Sequence, residues 1–492
     1  MYPTCIYLIA LDGQVISDFE RDDLHREVYR TQGKLTSCFG YDAMGRKAWQ
    51  YASSVPAEKL SKVTNPNVPT RVLLNDYRNA VQRQYEYDPA GELIRTLDQL
   101  RGEIRYEYEA NGQLHGRETG KLMTSEEFRY DPAANRLNFG TSQFDKVKDN
   151  RLRNWQNNEY RYDPWGNLIE KRSGQRQVQY FKYDCENRLV ASETLVQGRL
   201  HSKGRYQYDS LGRRIGKSAE QDGQVQEKRF LWQGLRMLQE LTPERDSLYL
   251  YEPGSYAPLA RVDRTEGEAQ QRYYYHTDQI GTPLEMTDGE GRIVWQATYK
   301  AWGSIETLAV AEVEQNLRFQ GQYFDGETGL HYNTFRYYDP EIGRFITQDP
   351  IGLDGGFNLY RYAPSPIGWI DSLGLNCGES RLYRGVSAKH PELENAKNGV
   401  VKPANPHADL TPEQHADGGL TGQSQYVSWT PNRELALGHA NKDGPGGILL
   451  SVPVGAPPQG ASWSWGWTHI NDWGEVEMLQ LGTRSDVTVN PF

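Results

Sequence analysis

Tyr85-Glu86-Tyr87-Asp88-Pro89-Ala90-Gly91-Glu92-Leu93 reads as the corner of a β-hairpin. Tyr-x-Tyr places two rings on one face of a strand. Asp-x-x-Gly suits a tight turn, with the Asp capping its own backbone and the Gly taking positive φ. Leu93 restarts the alternation. The unit returns at Tyr106 to Leu114 with Glu109 in place of Asp, then at Tyr130-Asp131, Tyr160 to Leu168, Tyr183 to Leu189 and Tyr206 to Arg214. Its commonest spacing is 21 or 22 residues. One such hairpin cannot bury its apolar face, so stability requires stacked neighbours. Residues 1 to about 340 are therefore expected to form one long, winding antiparallel sheet, mainly β. Met1 stands inside the pattern, which predicts further shell upstream.

Composition agrees. Tyr is over-used, at 32 residues against 13 Phe, which suits half-buried β surface. The 492 residues carry a net charge of −10, which disfavours nucleic-acid wrapping by bulk charge. The four cysteines, at positions 5, 38, 185 and 377, form no CxxC pair, so neither a zinc ribbon nor a disulfide framework is expected. No run of 18 apolar residues is present, so no spanning helix is expected, and Cys5 to Leu11 lacks the features of a signal peptide. After residue 376 the composition changes. The last 116 residues hold only Tyr383 and Tyr426, yet carry 5 of the 10 His and 5 of the 12 Trp. They are expected to form a separate domain.

The repeat unit resembles the tyrosine-aspartate repeats of Rhs (rearrangement hotspot) proteins. The resemblance sharpens at Arg336-Tyr337-Tyr338-Asp339-Pro340-Glu341-Ile342-Gly343-Arg344-Phe345, followed by Asp349-Pro350-Ile351-Gly352-Leu353, Asn358-Leu359-Tyr360-Arg361-Tyr362 and Asp371-Ser372-Leu373-Gly374-Leu375. It covers roughly residues 15–375. It implies a β cocoon over residues 1–340, a core-end autoproteolysis segment over 341–375, and an enclosed toxin over 376–492. It also implies an antibacterial effector exported by a contact-dependent, type VI-like system and acting in the target-cell cytoplasm. The partners implied are a cognate immunity protein and a secretion spike protein. Shells of this family cut themselves after the second Asp-Pro-x-Gly-Leu motif, here the bond Leu375–Asn376, and Asp349 and Asp371 match the family's aspartyl pair. Adjacent carboxylates cannot both ionise cheaply, so one can hold a proton while the other activates water. The second motif carries Ser372 where the family has Pro; losing the stiff ring is expected to slow cleavage without removing the carboxylate.

Three pieces of the C-terminal domain stand out: Leu382-Tyr383-Arg384-Gly385-Val386, then Tyr426-Val427-Ser428-Trp429-Thr430, then Trp473-Gly474-Glu475-Val476-Glu477. In order they resemble the Arg … Ser-x-Ser/Thr … Glu-x-Glu pattern of ADP-ribosyltransferase toxins, which implies a small α+β split β-sandwich and NAD as substrate. Arg384 would fork onto the pyrophosphate, and Gly385 would let the backbone approach the nicotinamide amide. Ser428 would orient the catalytic Glu, with Thr430 in support. Glu477 would stabilise the oxocarbenium-like ribose, Glu475 would position or deprotonate the acceptor, and Trp473 would belong to the acceptor-recognition turn. Trp463-Ser464-Trp465-Gly466-Trp467 alternates at period two, which predicts three rings on one sheet face. His407, Asp409 and His415 lie in a Pro- and Gly-rich segment with no fourth ligand at motif spacing, so no metal site is expected. The acceptor is a target-cell protein or structured RNA. With 8 Lys/Arg against 12 Asp/Glu, the domain offers RNA little bulk attraction, which favours protein. The alternatives are a metal-dependent nuclease toxin, and a non-enzymatic adhesion shell like that of teneurins.

Overall fold

The computed structural model describes residues 6–55, 79–137, 147–375, 381–410, 423–430, 433–453, 463–470, 476–485 and 487–490. Hairpins dominate. A ten-stranded antiparallel sheet runs in sequence order from Ile6–Leu11 to Glu126–Glu127, and a fifteen-stranded one from Asn154–Trp155 to Ile305–Ala311. The expected single sheet is thus corrected to two large ones. The break falls where strands shrink to two residues, as in Arg129–Tyr130 and Arg136–Leu137, and where Ala134, Asp149 and Asn150 take positive φ. Such short pieces cannot carry a ladder onward.

The turn at Asp88 behaves as the sequence implies. Asp88 Oδ1 accepts the Glu92 N–H at 2.8 Å while Gly91 sits at φ +97°. In several turns the second carboxylate oxygen takes the residue four positions on, as with Arg46 on Asp42, Arg188 on Asp184 and Arg213 on Asp209, each at 2.7 Å. The two tyrosines do different work. The first is core: Tyr85, Tyr160 and Tyr206 are at most 4% exposed. The second stands at a register shift, at Tyr87, Tyr108, Tyr162, Tyr183 and Tyr208. A bulge turns the chain there and re-aims the side chain. Tyr87, Tyr108, Tyr183 and Tyr208 then donate to the carbonyls of Lys47, Leu93, Leu168 and Leu189 in the preceding hairpin, at 2.6–2.9 Å. These hydroxyls staple one hairpin to the last.

The two large sheets face each other across a polar layer. Arg30 Nη2 meets Glu252 at 2.5 Å, Gln50 donates to the Thr277 carbonyl at 2.6 Å, Arg117 reaches Glu306 at 3.1 Å, and Arg83 pairs with Glu285. Burial pushes Glu285 up, but Arg101 and Arg83 bring it down to about 2. A four-stranded sheet, from Tyr323–Asp325 to Arg344–Phe345, packs against the first half of the long sheet. There Asp325 takes both Arg214, at 2.5 Å, and Lys217, at 2.7 Å, and all three are buried. Removing one member of such a buried pair costs about 3–5 kcal/mol, because the other is left uncompensated.

The C-terminal domain is α+β. One three-stranded sheet orders Arg381–Val386, Ile448–Pro453 and Thr488–Asn490; the other orders Tyr426–Trp429, Val476–Gly482 and Trp463–Ile470. Helices Leu393–Lys397 and Arg433–Asn441 flank them. Val386, Val427, Trp429, Leu450 and Val452 form its core, and Phe357 of the shell end packs against that core. In Trp463–Ile470 the backbone register shifts between Trp465 and Trp467.

Candidate functional site

The end of the shell converges on one guanidinium. Arg336 opens the strand Arg336–Asp339, is 1% exposed, and stacks on Phe345 with 3.6 Å from its Cζ to the ring centroid. Its Nη2 lies 2.8 Å from Asp349 Oδ2 and 3.5 Å from Asp371 Oδ2. Nη1 donates to the Leu359 carbonyl at 3.0 Å, and Nε donates to the Gly374 carbonyl. Sequence separation of 22 residues thus closes into one buried carboxylate–guanidinium–carboxylate cluster. The two acids are held differently. Asp349 accepts the Ile351 N–H at 3.1 Å and takes the shorter ion pair. Asp371 accepts the Leu375 N–H at 2.9 Å. Burial pushes Asp371 up to about 6; Asp349 adds to that rise, while Arg336 and the Leu375 N–H oppose it.

The tail carrying Leu375 is threaded closely onto the hairpin turn that precedes Arg336. Asn333 Nδ2 donates to the Asp371 carbonyl at 2.9 Å, and the Phe335 N–H to the Leu373 carbonyl at 3.1 Å. Thr334, between them, sits at φ +47°, a sterically costly conformation for a β-branched residue. Two glycines admit the tail. A Cβ on Gly321 would stand 1.9 Å from the Ser372 carbonyl oxygen, and one on Gly374 2.4 Å from that of Asn333. The sequence flagged Asp349, Asp371 and Leu375. Arg336 and Tyr362, whose Oη accepts the Asp371 N–H at 3.4 Å, stand in the sequence only as parts of motifs, and nothing there points to Asn333 or Gly321. Asn376 lies outside the described residues.

In the C-terminal domain, Tyr383 and Thr430 exchange backbone hydrogen bonds at 2.7 and 2.9 Å, which ties the two sheets together. Beside that bridge Arg384 Nη1 donates to the Ser428 carbonyl at 2.9 Å. Arg384, Ser428 and Thr430 are therefore neighbours. Ser428 pairs with Leu479 and Trp429 with Met478, so the backbone of Glu477 follows next along the adjacent strand, paired with His469. Glu475, Trp473 and His415 lie outside the described residues. Gly385 has a packing role: a Cβ there would lie 1.8 Å from the Ala436 carbonyl oxygen, so the helix Arg433–Asn441 rests on its backbone. His390, further along, is pushed down by burial and by the nearby Arg384 and Lys442.

Fold and shell-end cluster together describe a YD-repeat shell that closes on its own C-terminal tail. The family model for the teneurin YD-shell matches residues 92–366, more than half of the chain. The chain belongs to this family. It is 40% identical over 450 residues to double-stranded DNA deaminase toxin A of Burkholderia cenocepacia, covering 86% of this chain and 30% of that protein. It is 32% identical over 429 residues to toxin protein Tse5 of Pseudomonas aeruginosa, covering 74% of this chain and 31% of that one. The chain thus spans about a third of the length of these curated relatives. Among solved structures, the crystal structure of TcdB2-TccC3-TEV superposes with a TM-score of 0.51 at 20% identity, over 74% of this chain and 20% of that one, which supports the shell fold.

Proposed function

We propose that this chain is part of an antibacterial Rhs effector whose shell end cuts the bond Leu375–Asn376, and whose C-terminal domain transfers ADP-ribose from NAD to a target-cell macromolecule. The observation that carries the cleavage reading is the shared Arg336 between Asp349 and Asp371, with Leu375 held by its N–H on Asp371. The raised Asp371 carries the proton and Asp349 accepts one from water. The water oxygen adds to the Leu375 carbonyl carbon, the C–N bond breaks, and Asn376 leaves as the amine with the proton from Asp371.

For the transferase, support comes from Arg384 being clasped to the Ser428 carbonyl, with the strand that carries Glu477 adjacent. Arg384 would hold the pyrophosphate and Glu477 the ribose, while the nicotinamide leaves with the electrons of the glycosidic bond and an acceptor atom attacks C1′. Glu475 would take the acceptor's proton. Relatives named as toxins support the effector reading, and with it a cognate immunity protein and export from the producing cell. The deaminase activity in one relative's name is a poorer fit. Zinc base deaminases use two or three cysteines, and residues 376–492 hold Cys377 alone.

The test is the full chain, wild type and Glu477→Ala, incubated with NAD labelled in its adenylate half and a bacterial lysate. Label in the protein fraction, lost in the variant, is the expected result; label in RNA would change the acceptor class. Intact NAD and no label would overturn the transferase reading, and metal-dependent loss of DNA would replace it with the nuclease.

A further inference from the structure

Like Asp88, Asp131 and Asp163, Asp278 opens a repeat turn with no arginine four positions on. Its Oδ1 accepts the N–H groups of Ile280 and Thr282 at 3.0 and 2.8 Å, as the turn requires. Four positions on, however, stands Thr282, where the turns of Asp22, Asp42, Asp184, Asp209 and Asp288 place an arginine on the second oxygen. Asp278 also faces inward. It borders a cavity of about 80 Å³ at the seam between the two large sheets, walled by Tyr85, Tyr106, Tyr299 and Phe319. That volume admits several water-sized groups.

The cavity is lined mainly by apolar surface but holds buried polar groups. Tyr85 Oη is buried there without a hydrogen-bond partner, the residue being 4% exposed, while Thr282 Oγ1 interacts with Asp278 and Tyr299 Oη with Arg318. The arginines on the rim are engaged elsewhere: Arg83 and Arg101 each pair with Asp98 and Glu285, and Arg117 with Glu306. Lys300 is exposed at the mouth, and Lys47, a cation that acts on Asp278, has its Nζ over the Phe39 ring at 5.1 Å. Burial pushes Asp278 upward, as expected of a carboxyl group without a close cation.

A carboxylate, a buried hydroxyl without a partner and aromatic faces are elements that receive an ammonium group. We infer that this cavity is a binding site for a small primary ammonium, held by Asp278 and Tyr85 with Thr282 beside them. The ammonium takes the place that arginine fills in the turns of Asp22, Asp42, Asp184, Asp209 and Asp288. Pro366 and Ile367 also line the cavity, and Gln279 donates to the Ile367 carbonyl at 2.9 Å, so an occupant braces the segment leading to Asp371.

Thermal unfolding of the full chain in methylammonium chloride, against equal sodium chloride, tests the site. At tenfold above the dissociation constant the midpoint should rise by about 2 °C. The rise should vanish in Asp278→Asn, which keeps the turn's Oδ1 acceptor, and in Thr282→Arg, which supplies the repeat's own cation. An equal rise in Asp278→Asn, or no rise in the wild type, would overturn the inference and leave a cavity that holds water.

Discussion

The shell end and the C-terminal domain each assemble a candidate site, but by different means. At the shell end a buried arginine gathers two carboxylates and the tail that leads to Leu375, so side chains define the geometry. In the C-terminal domain a backbone bridge between two small sheets does the gathering, and Arg384 is anchored on a carbonyl. A site built on buried ion pairs is unforgiving, because each member's loss strands the others. A site built on strand register tolerates side-chain change and fails when the sheets part.

The largest effect separates the two directly. Asp349→Asn should slow self-cleavage by about 10²–10⁴-fold while Arg384→Ala leaves it unchanged, read as the fraction of intact chain over time on a denaturing gel. Equal slowing in both would dissolve the distinction. Next comes stability. Arg336→Ala leaves two buried carboxylates without their cation and should cost about 3–5 kcal/mol in urea unfolding of the shell. A loss below 1 kcal/mol would mean the cluster is not the keystone of the tail's binding.

The pH profile follows. Asp371, raised to about 6, must be protonated to act as acid, so cleavage should fall about tenfold per pH unit above 6. The linkage has a definite sign. With the folded value above the usual 3.8, the native chain binds more protons between those values, so this group's contribution to stability declines as pH rises from 3.8 to 6 and is flat above. A cleavage rate independent of pH between 6 and 8 would remove Asp371 as the acid. The smallest effects come from a pair of glycines. Gly321→Ala crowds Ser372 and should slow cleavage with the C-terminal domain intact; Gly385→Ala crowds Ala436 and should destabilise that domain by about 1–3 kcal/mol with cleavage unchanged. Crossed outcomes, measured by gel and by domain unfolding, would show that the regions are coupled.

Much of the shell was legible because its repeat states the same physics many times: Asp for the turn, Gly for positive φ, Leu to restart the strand. The second tyrosine was not. Its bulge and its bond to the previous hairpin depend on register, which a period-two reading cannot supply. The aspartyl pair was legible from the motif, whereas Arg336, Asn333 and Gly321 join it only through tertiary contact. In the C-terminal domain, Arg384, Ser428 and Thr430 were singled out from order and spacing, and they lie side by side. Gly385 was read for ligand approach, yet the helix laid on it from residues 433–441 gives it a packing reason invisible in local sequence.

The most direct test is intact-mass measurement of the purified full chain with N-terminal sequencing of any fragment. Two species are predicted, the smaller beginning at Asn376, and Asp371→Asn should give a single uncut chain. An uncut wild type, or a cut elsewhere that survives in Asp371→Asn, would contradict the shell-end site.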